Sequence, residues 1–131
     1  MINQSADVTL PAPVVAIVDD DPAVCNSLKF SLELEGFSVR AYYSGAELIA
    51  ANNLEGCACF VVDQLLPDTN GIELIASLRA RKLAAPAILI VGHPRAHLAA
   101  QAAKHGIPLV EKPLLGNTLL SMIRAACKSG N

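Results

Sequence analysis

Four runs along the chain are apolar without polar alternation, and each ends on a polar or conformationally special residue. VVAIV closes on Asp19-Asp20-Asp21, CFVV on Asp63, AILIV on Gly92-His93, and PLVE on Lys112-Pro113. Uninterrupted Val/Ile/Leu runs of this length are expected of strands buried on both faces of a parallel sheet. A fifth run, SVRAY at 38–42, alternates apolar and polar residues and reads as an edge strand. The predicted strands are about 14–18, 38–42, 58–62, 87–91 and 108–111.

The intervening segments carry helical periodicity and helix punctuation. Asp21 is placed to cap a first helix with Pro22 at its first position and Val24, Leu28 and Leu32 on one face, stopping at Gly36. Ser44-Gly-Ala-Glu47 spells a capping box for a short second helix. Asn70 with Glu73 caps a third, whose apolar stripe is Ile72, Ile75 and Leu78. A fourth helix, about 95–105, opens near Pro94, stops at Gly106, and is rich in alanine suited to close packing on a sheet. A fifth turns Leu119, Ile123 and Ala126 inward. Strands alternating with helices throughout predict a parallel α/β sandwich with right-handed crossovers. Ligands of such sheets sit at the carboxyl ends of the strands. That edge would bring an acidic cluster face to face with one lysine, an arrangement that favours a cation together with a phosphoryl group.

Composition narrows the setting. At 131 residues the chain has room for one core, and a formal charge of −2 without blocks of like charge leaves no electrostatic footprint for nucleic acid or an anionic membrane. The N-terminus lacks the basic and apolar regions of a signal peptide, and no apolar run approaches a bilayer's thickness. Residues 1–12 read as a mobile tail ahead of a single domain at 13–128, in a soluble, cytoplasmic product. The four cysteines show no C-x-x-C spacing, so reduced, packed thiols are expected. Cys57 and Cys59, two apart in a strand, should share a face, and Cys25 and Cys127 approach one another if the first and last helices pack side by side.

Several residues have competing readings. Asp63 stands alone at a strand tip, where a carboxylate can attack a phosphoryl donor and form an acyl phosphate. Asp19-Asp20-Asp21 by itself is equally a solvated, helix-capping turn; Asp63 and Lys112 tip the balance toward a phosphoryl site. His93 and His97 have a metal-like spacing, but Pro94 puts His93 in a loop, so a wet helix face with Gln101 and Lys104 is preferred over zinc.

The ordered set Val18-Asp19-Asp20-Asp21-Pro22-Ala-Val, Val62-Asp63-Gln-Leu-Leu-Pro67 with Gly71, and Glu111-Lys112-Pro113 resembles the receiver domains of two-component response regulators, especially the nitrogen-fixation regulator type. Residues 14–127 are covered in family-like spacing. The resemblance implies a flavodoxin-like (βα)5 doubly wound sheet of strand order 2-1-3-4-5. It implies Asp63 as phosphoacceptor, Lys112 as phosphate partner, and Mg2+ held by Asp20, Asp63 and the Leu65 backbone carbonyl, with Asp19 acting largely through water. It further implies a cis Lys112-Pro113 bond, a sensor histidine kinase or histidine phosphotransfer protein as donor, and homodimerisation through helix four, strand five and helix five, where Arg95, Leu109 and Met122 fall. Full-length members of the type often carry a DNA-binding output; the 131 residues here hold no output domain, as in a stand-alone receiver or a piece of a longer regulator.

Two positions depart from the pattern. Gly92 stands where receivers carry a Thr or Ser hydroxyl, and Leu109 where many carry a Tyr or Phe that rotates on activation. Hydroxyl capture coupled to aromatic rotation therefore cannot operate here as in the family. A diverged receiver that acts as a phosphorylation-independent interaction module is the competing function. A flavin site is disfavoured, since no Ser/Thr/Gly-rich loop follows the first strand and tryptophan is absent.

Overall fold

Each predicted run forms a strand, and each periodic segment forms a helix. The computed structural model describes residues 11–93, 95–114 and 116–129. Its strands are β1 (Val14–Val18), β2 (Ser38–Tyr42), β3 (Cys57–Asp63), β4 (Ala87–Val91) and β5 (Leu109–Glu111). The helices are α1 (Pro22–Leu34), α2 (Gly45–Ala50), α3 (Gly71–Ala80), α4 (Ala96–Lys104) and α5 (Thr118–Ser129), with a 3-10 turn at Leu54–Gly56. All strand pairings are parallel, and the order is β2-β1-β3-β4-β5, the expected 2-1-3-4-5. The alternating strand β2 lies at one edge, while β1, β3 and β4 are covered on both faces. The tail expected at 1–12 falls mostly outside the described residues, as do Pro94 and Leu115.

Alternation of side chains across the pleat divides the core in two. Ala16, Val18, Phe60, Val62, Leu89 and Val91 meet Leu48 of α2, Ile72, Ile75 and Leu78 of α3 and Ala102 of α4 on one face. On the other, Val15, Ile17, Cys59, Val61, Ile88 and Ile90 meet Cys25 and Leu32 of α1 and Leu119 and Ile123 of α5. Each fully buried Val, Leu, Ile or Phe side chain among them contributes about 1.5–3 kcal/mol. The exposed Lys29–Glu33 pair on α1 adds at most about 0.5 kcal/mol, so burial and not surface pairing holds the layers together. No described helix is long and apolar enough to cross a membrane.

Helix punctuation follows the sequence closely. Asp21 accepts from the Ala23 amide at 2.9 Å, and Pro22 opens α1. The chain leaves α1 through Gly36 at φ +95°, a left-handed conformation that favours glycine. Asn70 accepts from the Glu73 amide at 3.0 Å, starting α3 as expected. The capping box at α2 is shifted: Ser44 takes the Glu47 amide at 3.1 Å, but the Glu47 carboxylate reaches the Tyr43 amide, one residue earlier than the pattern specifies.

Three expectations about packing are corrected. Cys57 and Cys59 do not share a face, because the β1–β3 register shifts between Val14 and Val15 and places Ala58 in a bulge. Cys57 thereby joins the α2–α3 side and Cys59 the α1–α5 side. Cys25 and Cys127 lie at opposite ends of the layer, because α1 and α5 run the same way and Cys25 is in α1's first turn while Cys127 is in α5's last. All four thiols are free. The alanines of α4 mostly face solvent; Ala102 is the buried one, while Ala96, Ala99, Ala100 and Ala103 are exposed beside His97, Gln101 and Lys104.

Candidate functional site

Because the strands are parallel, β1, β3 and β5 deliver their last residues to one edge of the sheet. Asp19 follows β1 and extends its pairing, its amide donating to Tyr42 O at 3.0 Å. Asp63 is the last residue of β3, and the Lys112 amide extends β5 by donating to Val91 O at 2.8 Å. The Lys112-Pro113 peptide is cis. Backbone ladders thus fix three charged residues before their side chains interact.

The side chains converge tightly. Lys112 Nζ donates to Asp63 Oδ2 at 2.7 Å and lies 3.5 Å from Asp19 Oδ2. Asp63 Oδ1 accepts the Leu65 amide at 3.1 Å, and Asp19 Oδ1 accepts the Asp21 amide at 2.9 Å. Carboxylate oxygens of Asp19, Asp20 and Asp63 all lie within 4.8 Å of one another. Asp19 and Asp63 are buried, and Asp20 is exposed at the mouth.

Charge balance decides what this arrangement can hold. Two carboxylates at such a separation repel by roughly 4 kcal/mol at an effective dielectric near 20. One ammonium faces three carboxylates. Burial pushes the Asp19 carboxyl up to about 6; the Asp21 amide works against this, and the nearby Asp63 charge adds to it. Burial alone would lower the Lys112 ammonium, but the hydrogen bond and charge of Asp63, with Asp19 behind them, raise it above its usual value. Among the described residues, Asp19 Oδ2 is the buried side-chain oxygen left without a hydrogen bond. An orphaned carboxylate oxygen within an all-oxygen cluster is the donor set of a hard divalent cation, and it is compatible with Mg2+. His93 and His97 are exposed and take no part.

The neighbouring backbone is packed to its limit at one glycine and open at another. A Cβ on Gly71 would sit 2.9 Å from Asp63 O and 2.3 Å from Leu89 Cδ1, so only glycine lets α3 start this close to the strand tip. Gly92, at the end of β4, has nothing within 4 Å of a Cβ position. It shares a groove of about 920 Å3 with His93, Lys112, Leu114 and, from α1, Val24 and Leu28. Leu109 is half-buried on the cluster that Leu98 of α4 also joins. Leu65 is 76% exposed, and its main-chain amide makes the contact with Asp63.

Two residues given no role by sequence reasoning, Gln64 and Asp68, complete the surroundings together with Cys25, expected only as a packed thiol. Gln64 Oε1 accepts the Ile72 amide at 3.2 Å, tying the loop to α3. Asp68 accepts the Gly45 and Ala46 amides at 3.0 and 2.8 Å, which holds its carboxyl below the usual range. Its partners lie 23 and 22 residues upstream, beyond any local pattern. The Cys25 thiol donates to Asp19 O at 3.3 Å, and burial beside the acidic residues pushes it up to about 11, so it packs rather than reacts.

The same combination of fold and residues recurs in known proteins. The family described as the response regulator receiver domain matches residues 15–124. The C4-dicarboxylate transport transcriptional regulatory protein DctR of Rhodobacter capsulatus is 34% identical over 115 residues, 86% of this chain and 58% of its own length. The transcriptional regulatory protein FixJ of Rhizobium meliloti is 34% identical over 113 residues, 86% of this chain and 55% of its own. The chain therefore spans a little over half the length of these curated relatives. Among solved structures, FixJ-N matches with a TM-score of 0.78 and 31% identity, covering 91% of this chain and 96% of that one. A CheY-like receiver domain protein of Methanospirillum hungatei matches with a TM-score of 0.82 and 25% identity, over 91% and 96% of the two chains.

Proposed function

The chain belongs to the receiver-domain family of two-component response regulators, and from that premise we propose that Asp63 accepts a phosphoryl group from a phosphohistidine, with Mg2+ as cofactor. The observation that carries the reading is the Lys112–Asp63 contact at 2.7 Å beside the orphaned, buried oxygen of Asp19. In the transfer, an Asp63 carboxylate oxygen forms a P–O bond as the P–N bond of the donor breaks. The electron pair returns to the imidazole, and Asp63 is left as an acyl phosphate.

Asp19, Asp20, Asp63 and the Leu65 carbonyl are the residues that would hold the ion. When bound, Mg2+ supplies neutralisation of the phosphoryl oxygens, the largest need of a transition state that spreads charge over three of them. Lys112 serves the same end as a compact charge; it is partly exposed and has room to follow the phosphoryl group. Catalysis is then positioning and charge neutralisation by the chain of its own modification and slow hydrolysis, without turnover of an external substrate. The donor is a sensor histidine kinase or a histidine phosphotransfer protein, which places the protein in the cytoplasm. The face of α4, β5 and α5, where Arg95, Leu109 and Met122 fall, is the proposed homodimer contact.

Gly92 supports a second reading, a diverged receiver that signals by contact alone, since the hydroxyl that would capture the phosphoryl group is missing. Against it stands the cost of retaining buried carboxylates that chemistry no longer uses. Transfer from a radiolabelled phosphohistidine donor separates the two. Magnesium-dependent passage of label to the parent chain and none to Asp63→Ala is expected; label on neither supports the contact module.

A further inference from the structure

The carbonyl assigned to the metal belongs to a loop, and a loop carbonyl is a useful ligand only if its peptide plane is held. Residues 64–70 form a narrow antiparallel turn: Leu65 and Asn70 pair as a bridge, the Leu66 amide donates to Thr69 O at 3.3 Å, and the Gly71 amide donates to Gln64 O at 3.0 Å. In this type of pair the bridged residue's own N–H and C=O face away from its partner, on one edge. The Leu65 N–H on that edge donates to Asp63 Oδ1, so the Leu65 C=O faces the acidic cluster as well. The peptide joining Leu65 to Leu66 is planar, which makes the direction of that C=O opposite to the Leu66 N–H. Whatever fixes Thr69 O therefore aims the Leu65 carbonyl.

Thr69 is fixed from outside the loop. Asp68 grips the first two amides of α2 with both carboxylate oxygens, at 3.0 Å to Gly45 and 2.8 Å to Ala46. Thr69 packs so closely behind it that a Cβ on Gly45 would lie 2.6 Å from Thr69 Cγ2. Charge-assisted bonds from two amides to one carboxylate are stronger and more directional than neutral ones. The turn is thus anchored at its base by Gln64 on α3 and at its tip by Asp68 on α2.

We propose that Asp68 is a positioning residue for the metal site: by clamping the tip of the 64–70 turn to α2 it holds Thr69 O, through it the Leu65–Leu66 peptide, and so the carbonyl aimed at Asp20 and Asp63. The inference rests on the magnesium reading above. It makes the N-terminus of α2, remote in sequence from every proposed ligand, part of the apparatus that sets metal affinity.

Calorimetric titration of Mg2+ into the folded, metal-free chain tests it. Removal of an outer partner of a metal ligand costs about tenfold or more in affinity, and a loss of that size is expected for Asp68→Ala. Asp68→Asn, which keeps one acceptor oxygen, is expected to recover part of it. Gly45→Ala pushes the turn tip from the other side with the carboxylate intact, is expected to weaken binding in the same direction, and decides the matter if Asp68→Ala does not fold. A role confined to stability would lower the melting temperature and leave the Mg2+ affinity of the folded protein unchanged. Equal affinity in the parent and the variants overturns the inference alone. Absence of binding by the parent overturns the metal reading and the inference with it.

Discussion

Asp19 is the residue whose energetics are most exposed to test. Its carboxyl is lifted from an ordinary 3.8 to about 6, chiefly by burial, so between those values the folded chain binds more protons than the unfolded one. Stability contributed by this group is therefore present in acid and declines as pH rises through about 6, and at neutral pH the ionised carboxylate is a net burden on the metal-free fold. Asp19→Asn removes the burden. In metal-free buffer at pH 7 it is expected to melt higher than the parent by roughly 3–8 °C, the range that one to two kcal/mol spans in a domain of this size. The gap should narrow on lowering the pH to 5 and on adding Mg2+ to the parent. A variant that melts lower than the parent at pH 7 would refute the assignment of Asp19 as a carboxylate whose burial outweighs its contacts with the Asp21 amide and Lys112. The charged members of this cluster were legible from sequence because each ends an apolar run, and parallel strands bring their ends together. Asp68 was not, because nothing within its own turn reveals that its hydrogen-bond partners begin α2.

At the scale of elements, the connection between β4 and α4 is where this chain departs from its family. Gly92 has open space where a side chain would go and no left-handed φ to forbid one. Gly92→Thr should therefore fold like the parent and present a hydroxyl to the phosphoryl oxygens. A hydrogen bond to a charged acceptor is worth about 1.5–3 kcal/mol, which corresponds to a tenfold or greater acceleration of phosphorylation by a small donor if it forms in the transition state. An unchanged rate and lifetime of the phosphorylated species would contradict this role for a hydroxyl at position 92. Helix and strand identities came through the sequence because caps and breakers such as Pro22, Gly36, Asn70 and Gly106 mark their ends. The bulge at Ala58 did not, since one extra residue leaves the alternation of a short strand formally intact while turning Cys57 to the opposite face. The exposure of the α4 alanines was equally hidden: the polar face of His97, Gln101 and Lys104 was legible, but alanine is small enough to sit on either side of a helix, so its abundance does not show how much of the helix is covered.

For the molecule as a whole, layer architecture followed from the alternation of strands and helices, whereas strand order followed from family resemblance; the hydrophobic pattern alone sets β2 at an edge but does not rank the others. The two apolar faces of the sheet are independent cores, and the charged residues stand on the rim between them, supported by β1, β3 and β5. That geometry makes one central claim, that Asp63 is the point at which a phosphoryl group joins the chain. Incubating the parent and Asp63→Ala with acetyl phosphate and Mg2+ and weighing the intact proteins tests it most directly. The account predicts one added phosphoryl group on the parent, none on Asp63→Ala, and loss of the addition when magnesium is chelated; equal phosphorylation of the two proteins would contradict it.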